Sequence, residues 1–250
     1  MKDRLLVTGA AGRIGRLLSA ALQDQYDLIL TDKGDAAPSS ELPYQQADIA
    51  DFAAVEGIFN ADPGIDTVIH LAADPRMDAS WESLLPNNLI GVYNVFEAAH
   101  RAGCKRVVFA SSINAVNGYA PDLQITTQMP VAPLNLYGAS KAWGEAVGRF
   151  YADFKAMSVH CLRIGWVTPP DGEKLKTTAT NKDLQMVVTH RDLVNLFESC
   201  LSSNVHFGIF HGISDNFWKR LDISDTRERT GYAPEDDGYV LAGKLEPDTF

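Results

Sequence analysis

The 250-residue chain has only three cysteines, Cys104, Cys161 and Cys200, widely separated and in no Cys-x-x-Cys or Cys-His spacing. An odd, scattered set excludes a disulfide framework and a zinc ribbon, and suits small buried hydrophobes in a reduced compartment. No metal-ligand set is expected. No apolar run approaches the ~18 residues of a membrane span, and the opening MKDRLLVTGAAG lacks the apolar stretch of a secretory signal. A cytoplasmic location is therefore expected. Basic residues never form a run of five, and 22 Lys and Arg stand against 32 Asp and Glu, a net charge of −10. That balance argues against a nucleic-acid partner. Internal repeats and low-complexity linkers are also missing. At 46% hydrophobic and 22% charged residues, the composition is that of a soluble globular chain able to bury one good core.

Short apolar runs alternate with helical patterns through the first two thirds. RLLVT (4–8), DLILT (27–31), TVIHL (67–71), RVVFA (106–110) and VHCLRI (159–164) read as buried strands. GRIGRLLSAALQ, DFAAVEGIFN, WESLLPNNLIGVYNVFEAAHRAG and a long segment from Leu136 carry apolar residues at helical spacing. Such alternation predicts an α/β fold, a parallel sheet with helices on both faces. Beyond Arg163 the pattern loosens into polar, turn-rich TPPDGEKLKTTATNKD, then an amphipathic HRDLVNLFESCLSS and a short strand FGIFH. One domain is expected, with a core over 1–168 and a small integrated substrate-covering region over 169–250.

VTGAAGRIGRLL sets Gly9, Gly12 and Gly15 between the first strand and the first helix. Gly9 permits the tight turn, Gly12 a close approach of backbone to a pyrophosphate, and Gly15 close packing of helix on sheet. Helix-start N–H groups then face the anion. Asp32 ends the next strand, 20 residues after Gly12, where an acid accepts hydrogen bonds from a ribose 2′-OH and repels a 2′-phosphate. The context predicts dinucleotide binding on a doubly wound sheet of the Rossmann type. NAD is favoured over NADP, although Arg13 and Lys33 supply cations that pull the other way.

Two Tyr-x-x-x-Lys pairs follow, Tyr137 with Lys141 and Tyr151 with Lys155. In an open parallel sheet the ligand lies at the carboxyl ends of the strands. Tyr137 begins a helix after the loop that leaves the strand ending in Ser111 and Ser112. Tyr151 is 14 positions further on, roughly 21 Å at ~1.5 Å rise per residue, so the pairs cannot share a site. Tyr137 and Lys141 lie on one helix face. A neighbouring ammonium and a cationic nicotinamide both favour the phenolate, the base that alcohol oxidation needs as hydride passes to the nicotinamide. Ser111 or Ser112 is placed to hydrogen-bond the reacting oxygen. Tyr151 and Lys155 read as ordinary helix residues.

GAAGRIG, Asp32, ADIAD (47–51), HLAA (70–73), NNLIGVYNVFEAA (87–99), FASS (109–112) and YGASK (137–141) resemble, in unbroken order over residues 1 to about 168, the extended short-chain dehydrogenase/reductases, the NAD-dependent epimerase/dehydratase family. The resemblance implies a catalytic trio of Ser112, Tyr137 and Lys141. It adds Arg13, Ile14 and Ile164 to the cofactor contacts, puts Asp48 and Ile49 beside the adenine, and runs Leu71, Ala72 and Ala73 beneath pyrophosphate and ribose. Asn88 is expected to support the site, and His70 to be structural.

Only 109 residues follow Lys141, so a small substrate is expected rather than a nucleotide sugar. RIG (163–165), SDNFW (214–218) and TGYAPEDD (230–237) are similar to uronate dehydrogenase and its short sugar-oxidising relatives, which implies oxidation of an anomeric hydroxyl to a lactone. There are departures from that pattern. Ile113 and Asn114 stand where uronate dehydrogenases carry Asn-His, Trp166 replaces a serine, and no arginine lies between Arg163 and Arg191 to clamp a carboxylate. Substrate contacts are expected from Ser112, Ile113, Asn114, Tyr137 and Trp166, with Lys182 the candidate cation. A short epimerase, dehydratase or ketoreductase with the same trio remains open, as does a non-catalytic NAD sensor, which usually loses Tyr-x-x-x-Lys. Members of this family commonly pair through the helices near 80–102 and 136–154.

Overall fold

The computed structural model describes residues 2–35, 41–168 and 173–245, with backbone only at Glu173, Lys174 and Lys176. The chain runs β1 (Arg4–Thr8), α1 (Arg13–Leu22), β2 (Asp27–Asp32), β3 (Tyr44–Gln46), α2 (Phe52–Ala61), β4 (Thr67–His70), α3 (Trp81–Leu84). A π-helical turn (Leu85–Ile90) joins α3 to α4 (Gly91–Arg101), and β5 (Arg106–Ser112) ends in a 3₁₀ turn (Ile113–Ala115). Then follow α5 (Leu136–Lys155), β6 (Ser158–Ile164), β7 (Trp166–Val167), α6 (Glu173–Thr178), α7 (Asn181–Leu184), β8 (Val187–Val188), α8 (His190–Ser202), β9 (Phe207–Gly212), α9 (Ser224–Thr230) and α10 (Gly238–Leu241).

Seven strands form one sheet in the order β3-β2-β1-β4-β5-β6-β9, every pair parallel. This is the doubly wound, Rossmann-like α/β architecture expected. β3 was not anticipated, because Tyr-Gln-Gln is too short and too polar to stand out as a buried strand. β9 corresponds to the FGIFH run and closes the far edge beside β6.

The two faces of the sheet read directly from strand alternation. Leu6, Val68, Val107, Phe109 and Val159 point to one face and pack with Val55, Phe59, Val95, Phe96 and Val147 of α2, α4 and α5. Leu5, Val7, Leu28, Leu30, Val108 and Leu162 point to the other, against Leu18 and Leu22 of α1 and Leu193, Leu196 and Phe197 of α8. The described residues beyond Thr168 therefore share in the main core through α8 and β9. They also build a small cluster of their own from Leu175, Leu184, Val187 and Tyr239, beside a two-stranded β7–β8 ladder. Among the described residues, no helix is long and apolar enough to cross a membrane.

Strand order reverses between β1 and β4, so the helices leave on opposite faces and a crevice opens outside the carboxyl ends. The turns after β1, β4, β5 and β6 all empty into it.

Candidate active site

That crevice is a cleft of about 740 Å³. At one end stands the glycine turn. Gly9 has φ +70°, and a Cβ there would lie 2.6 Å from the Ala72 backbone nitrogen. A Cβ on Gly15 would sit 2.6 Å from Ala10 Cα, so only glycine lets α1 start this close to β1. Gly12 is the N-cap of α1 and no side chain caps it, which leaves the first-turn N–H groups available to an anion. Gly9, Gly12, Arg13, Ile14 and Gly15 all line the cleft.

Asp32 lines it too, flanked by Thr31 and Lys33. Its Oδ2 accepts from the Ala11 N–H at 3.0 Å, which ties the end of β2 to the glycine turn. Asp48, Ile49, Leu71, Ala72, Ala73 and Ile164 line it as well. Asn88 does not line the cleft. It is buried behind it in the π turn, accepting from Asp74 N at 2.8 Å and donating to Asp74 O and to Ser140 Oγ at 3.1 and 3.0 Å. Asn88 thus clamps the loop after β4 to α5.

At the other end Ser112, Tyr137 and Lys141 meet. Ser112 Oγ accepts from Asn114 N at 3.1 Å and from Asn114 Nδ2 at 3.2 Å. A hydroxyl has two acceptor sites and one proton, so the Ser112 O–H is left to donate, and Ser112 favours the phenolate form of the neighbouring Tyr137. Asn114 Oδ1 in turn accepts from Asn135 Nδ2 at 3.4 Å, while Asn135 Oδ1 caps α5 at Gly138 N, 2.8 Å away. Strand end, 3₁₀ turn and helix cap are therefore one hydrogen-bonded unit that sets Tyr137 against Ser112. Asn114, expected to read substrate, spends its amide within that unit, although it does line the cleft.

Lys141 is buried and donates from Nζ to Ala110 O at 2.8 Å, 5.6 Å from the centre of the Tyr137 ring. Burial lowers its pKa from 10.5 to about 8. Tyr137 differs from expectation. Burial raises its pKa above the ordinary 10, with Ser112 pulling it down and Asp74 pushing it up. The protein alone therefore keeps the phenol protonated, and the positive charge of an oxidised nicotinamide is what must favour the phenolate. His70 is buried beneath the site with Nδ1 2.7 Å from Thr8 Oγ1, and burial then Lys141 hold it neutral, with a pKa of about 3. Tyr151 is inside the core with its hydroxyl on Glu97 Oε2 at 2.8 Å, far from the cleft.

Ser111 also lines the cleft, but its hydroxyl is spent on a buried ion pair. Glu145 Oε1 accepts from Ser111 Oγ at 2.6 Å and from Arg163 Nε at 2.9 Å, and its Oε2 from Arg163 Nη2 at 2.8 Å. Glu145 is one helical turn beyond Lys141, so this pair pins α5 to β5 and β6 at the level of the trio. The isolated charges in an apolar helix face and an apolar strand were its signal in the sequence.

At the substrate end Ile113 and Trp166 line the cleft with Pro75, Met77, Asn87, Asn117, Leu134 and Met186. The latter six come from loops or turns and were not singled out in the sequence. Lys182 requires a correction. It is exposed on α7 and outside the cleft, whereas its neighbour Asp183 lines it. One residue turns a helix by about 100°, enough to exchange a cation for an anion at the wall.

The family model for the NAD dependent epimerase/dehydratase family matches residues 5–192. The chain is 36% identical to the NAD-dependent glucose-6-phosphate dehydrogenase of Haloferax volcanii, over 99% of this chain and 98% of the relative. It is 31% identical to the L-arabinose 1-dehydrogenase (NAD(P)(+)) of the same organism, over 95% and 98%. A solved uronate dehydrogenase from Agrobacterium tumefaciens, a tyrosine-to-alanine variant complexed with NAD, superposes with a TM-score of 0.85 at 30% identity, over 99% of this chain and 91% of the other. With its parallel seven-stranded sheet, glycine turn and Tyr-x-x-x-Lys helix, the chain belongs to the NAD-dependent epimerase/dehydratase family, among its NAD-dependent dehydrogenases.

Proposed function

We propose that this protein oxidises the C1 hydroxyl of a small cyclic sugar or uronic acid to the lactone, with NAD+ as oxidant. The observation that carries the proposal is the meeting of Ser112, Tyr137 and buried Lys141 in one cleft whose other end is a glycine turn and an acid. The residues fit the cofactor: open helix-start N–H groups for a pyrophosphate and Asp32 for ribose hydroxyls. When bound, NAD+ supplies the hydride acceptor and a positive charge beside Tyr137. Tyr137, once ionised, takes the proton from the sugar hydroxyl, and Ser112 donates to the same oxygen as it becomes a carbonyl. Lys141, fixed on Ala110 O, holds the Tyr137 ring and adds positive charge beneath it. Kinship with glucose-6-phosphate, L-arabinose and uronate dehydrogenases supports a sugar substrate and leaves its class open.

The test is NADH formation from NAD+ with free aldoses, uronic acids and sugar phosphates, in the wild type and in Tyr137→Phe. The proposal expects NADH with at least one sugar and its loss in the variant. Turnover of a nucleotide sugar without net NADH would instead make the protein an epimerase. We also propose that two copies pair through α4 and α5, whose exposed Tyr93, Trp143, Phe150 and Phe154 form an apolar face; sedimentation of the wild type against Trp143→Glu/Phe150→Glu tests it.

A further inference from the structure

The charge distribution of the cleft narrows the substrate class, on the sugar-oxidising reading above. Among the described residues, three cations line the cleft: Arg13, Lys33 and Lys141. Arg13 and Lys33 belong to the glycine-turn end, beside Asp32. Lys141 is buried under Tyr137 and already donates to Ala110 O. None is free to meet an anion at the substrate end.

Among the described side chains, Arg76, Arg220 and Arg191 are committed elsewhere. Arg76, between the lining residues Pro75 and Met77, holds Asp74 through Nε and Nη2 at 3.0 and 2.6 Å. Arg220 is spent on the Tyr119, Ala120 and Leu123 carbonyls and on Asn117 Oδ1. Arg191 pairs with Glu235 and Asp236. Lys182 points to solvent. Lys174 and Lys176 lie outside the described side chains.

Beyond Ser112, Asn114 and Tyr137, the substrate end offers a carboxylate, two further amides and an aromatic face. Asp183 is fixed by a capping box in which its Oδ2 accepts from Thr180 N at 2.8 Å and Thr180 Oγ1 at 2.6 Å. Asn87, Asn117 and Trp166 are the other polar or aromatic groups there. A fixed carboxylate and neutral amides accept and donate to hydroxyls, and an indole face packs on the C–H groups of a pyranose. The same carboxylate repels a carboxylate or phosphate that arrives without a cation.

We infer that the substrate is a neutral aldose, one of whose hydroxyls donates to Asp183, and that Asp183 sets the preference against uronic acids and sugar phosphates. The inference is read from matched pairs differing only at C6: D-glucose with D-glucuronate and glucose 6-phosphate, and D-galactose with D-galacturonate. In the wild type, kcat/KM with NAD+ should favour each neutral sugar over its anionic partner by at least about tenfold. Asp183→Asn should lower kcat/KM for the preferred neutral sugar by about 10- to 100-fold, the loss of one charge-assisted hydrogen bond. It should also shrink the neutral-to-anionic ratio, with NAD+ affinity unchanged as the sign that the fold is intact. A wild type that prefers the uronate or the phosphate overturns the inference whatever the variant does, and so does an unchanged ratio in a folded Asp183→Asn. NADH from none of these sugars would end the sugar-oxidising reading itself, a result distinct from a reversed ranking.

Discussion

Glu145→Ala removes the carboxylate that satisfies Ser111 and Arg163 together. Both partners of the ion pair are almost sealed from solvent, with side-chain exposures of 2% for Arg163 and 4% for Glu145. The variant leaves a buried guanidinium without its counter-ion, and its Nη1 already has no hydrogen-bond partner among the described residues. Breaking one side of such a pair costs ~3–5 kcal/mol. At ~2–4 °C per kcal/mol for a chain of this size, Tm should fall by roughly 10 °C, measurable by urea or thermal unfolding of the cofactor-free protein. Replacing both partners, as in Glu145→Leu/Arg163→Met, should recover most of the loss, because the stranded charge goes with its partner. Catalysis should suffer in a particular way. Ser111 precedes Ser112, and Glu145 lies one turn beyond Lys141, so kcat should drop more than the KM for NAD+ rises. A Glu145→Ala loss below ~1 kcal/mol, the worth of an exposed pair, would refute the reasoning, as would a double variant no more stable than the single one.

Three further outcomes are expected. Tyr137→Phe should cut kcat by at least ~10²-fold, the low end for a general base, with NAD+ affinity little changed, while Tyr151→Phe should leave turnover near wild type; equal losses in steady-state assays would remove the distinction. Asp32→Ala should weaken NAD+ and relieve NADP+, and a wild-type kcat/KM that favours NADP+ would mean that Arg13 and Lys33 outweigh the acid. Lys141 has its folded pKa lowered from 10.5 to about 8 by burial, so between those two pH values the unfolded chain holds a proton that the folded chain has released. Stability should therefore rise with pH through that window in the cofactor-free wild type relative to Lys141→Met, by at most ~3.5 kcal/mol at ~1.4 kcal/mol per pH unit. Parallel stability–pH curves for the two proteins would contradict it.

The sheet was legible because parallel strands buried on both faces are continuous apolar runs, and the glycine turn because backbone geometry there tolerates no side chain. Tyr137 and Lys141 were legible for a related reason: they sit at a helix start facing the strand ends, where topology brings ligand and chain together; that position left Ser111 and Ser112 both open, and the family resemblance chose Ser112. Loops gave no such purchase. Asn117, Leu134 and Met77 reach the cleft from segments without periodicity, and Lys182 was chosen as the nearest cation by position, where a four-residue helix, α7, carries no apolar stripe to show that Asp183 is the one turned to the cleft. Asn88 was expected to support the site, and only the π turn shows how, from behind it. The protonated state of Tyr137 in the free protein depends on burial, which no spacing of Tyr and Lys reveals.

The most direct test of C1 oxidation follows a label. An accepted sugar deuterated at C1 is incubated with NAD+ and the wild-type protein, and both products are identified by NMR and mass spectrometry. The account predicts deuterium in the reduced cofactor, equimolar with an aldonolactone or its hydrolysed acid. Deuterium retained in a sugar product, whether unchanged or inverted at another carbon, with no labelled NADH, would contradict it.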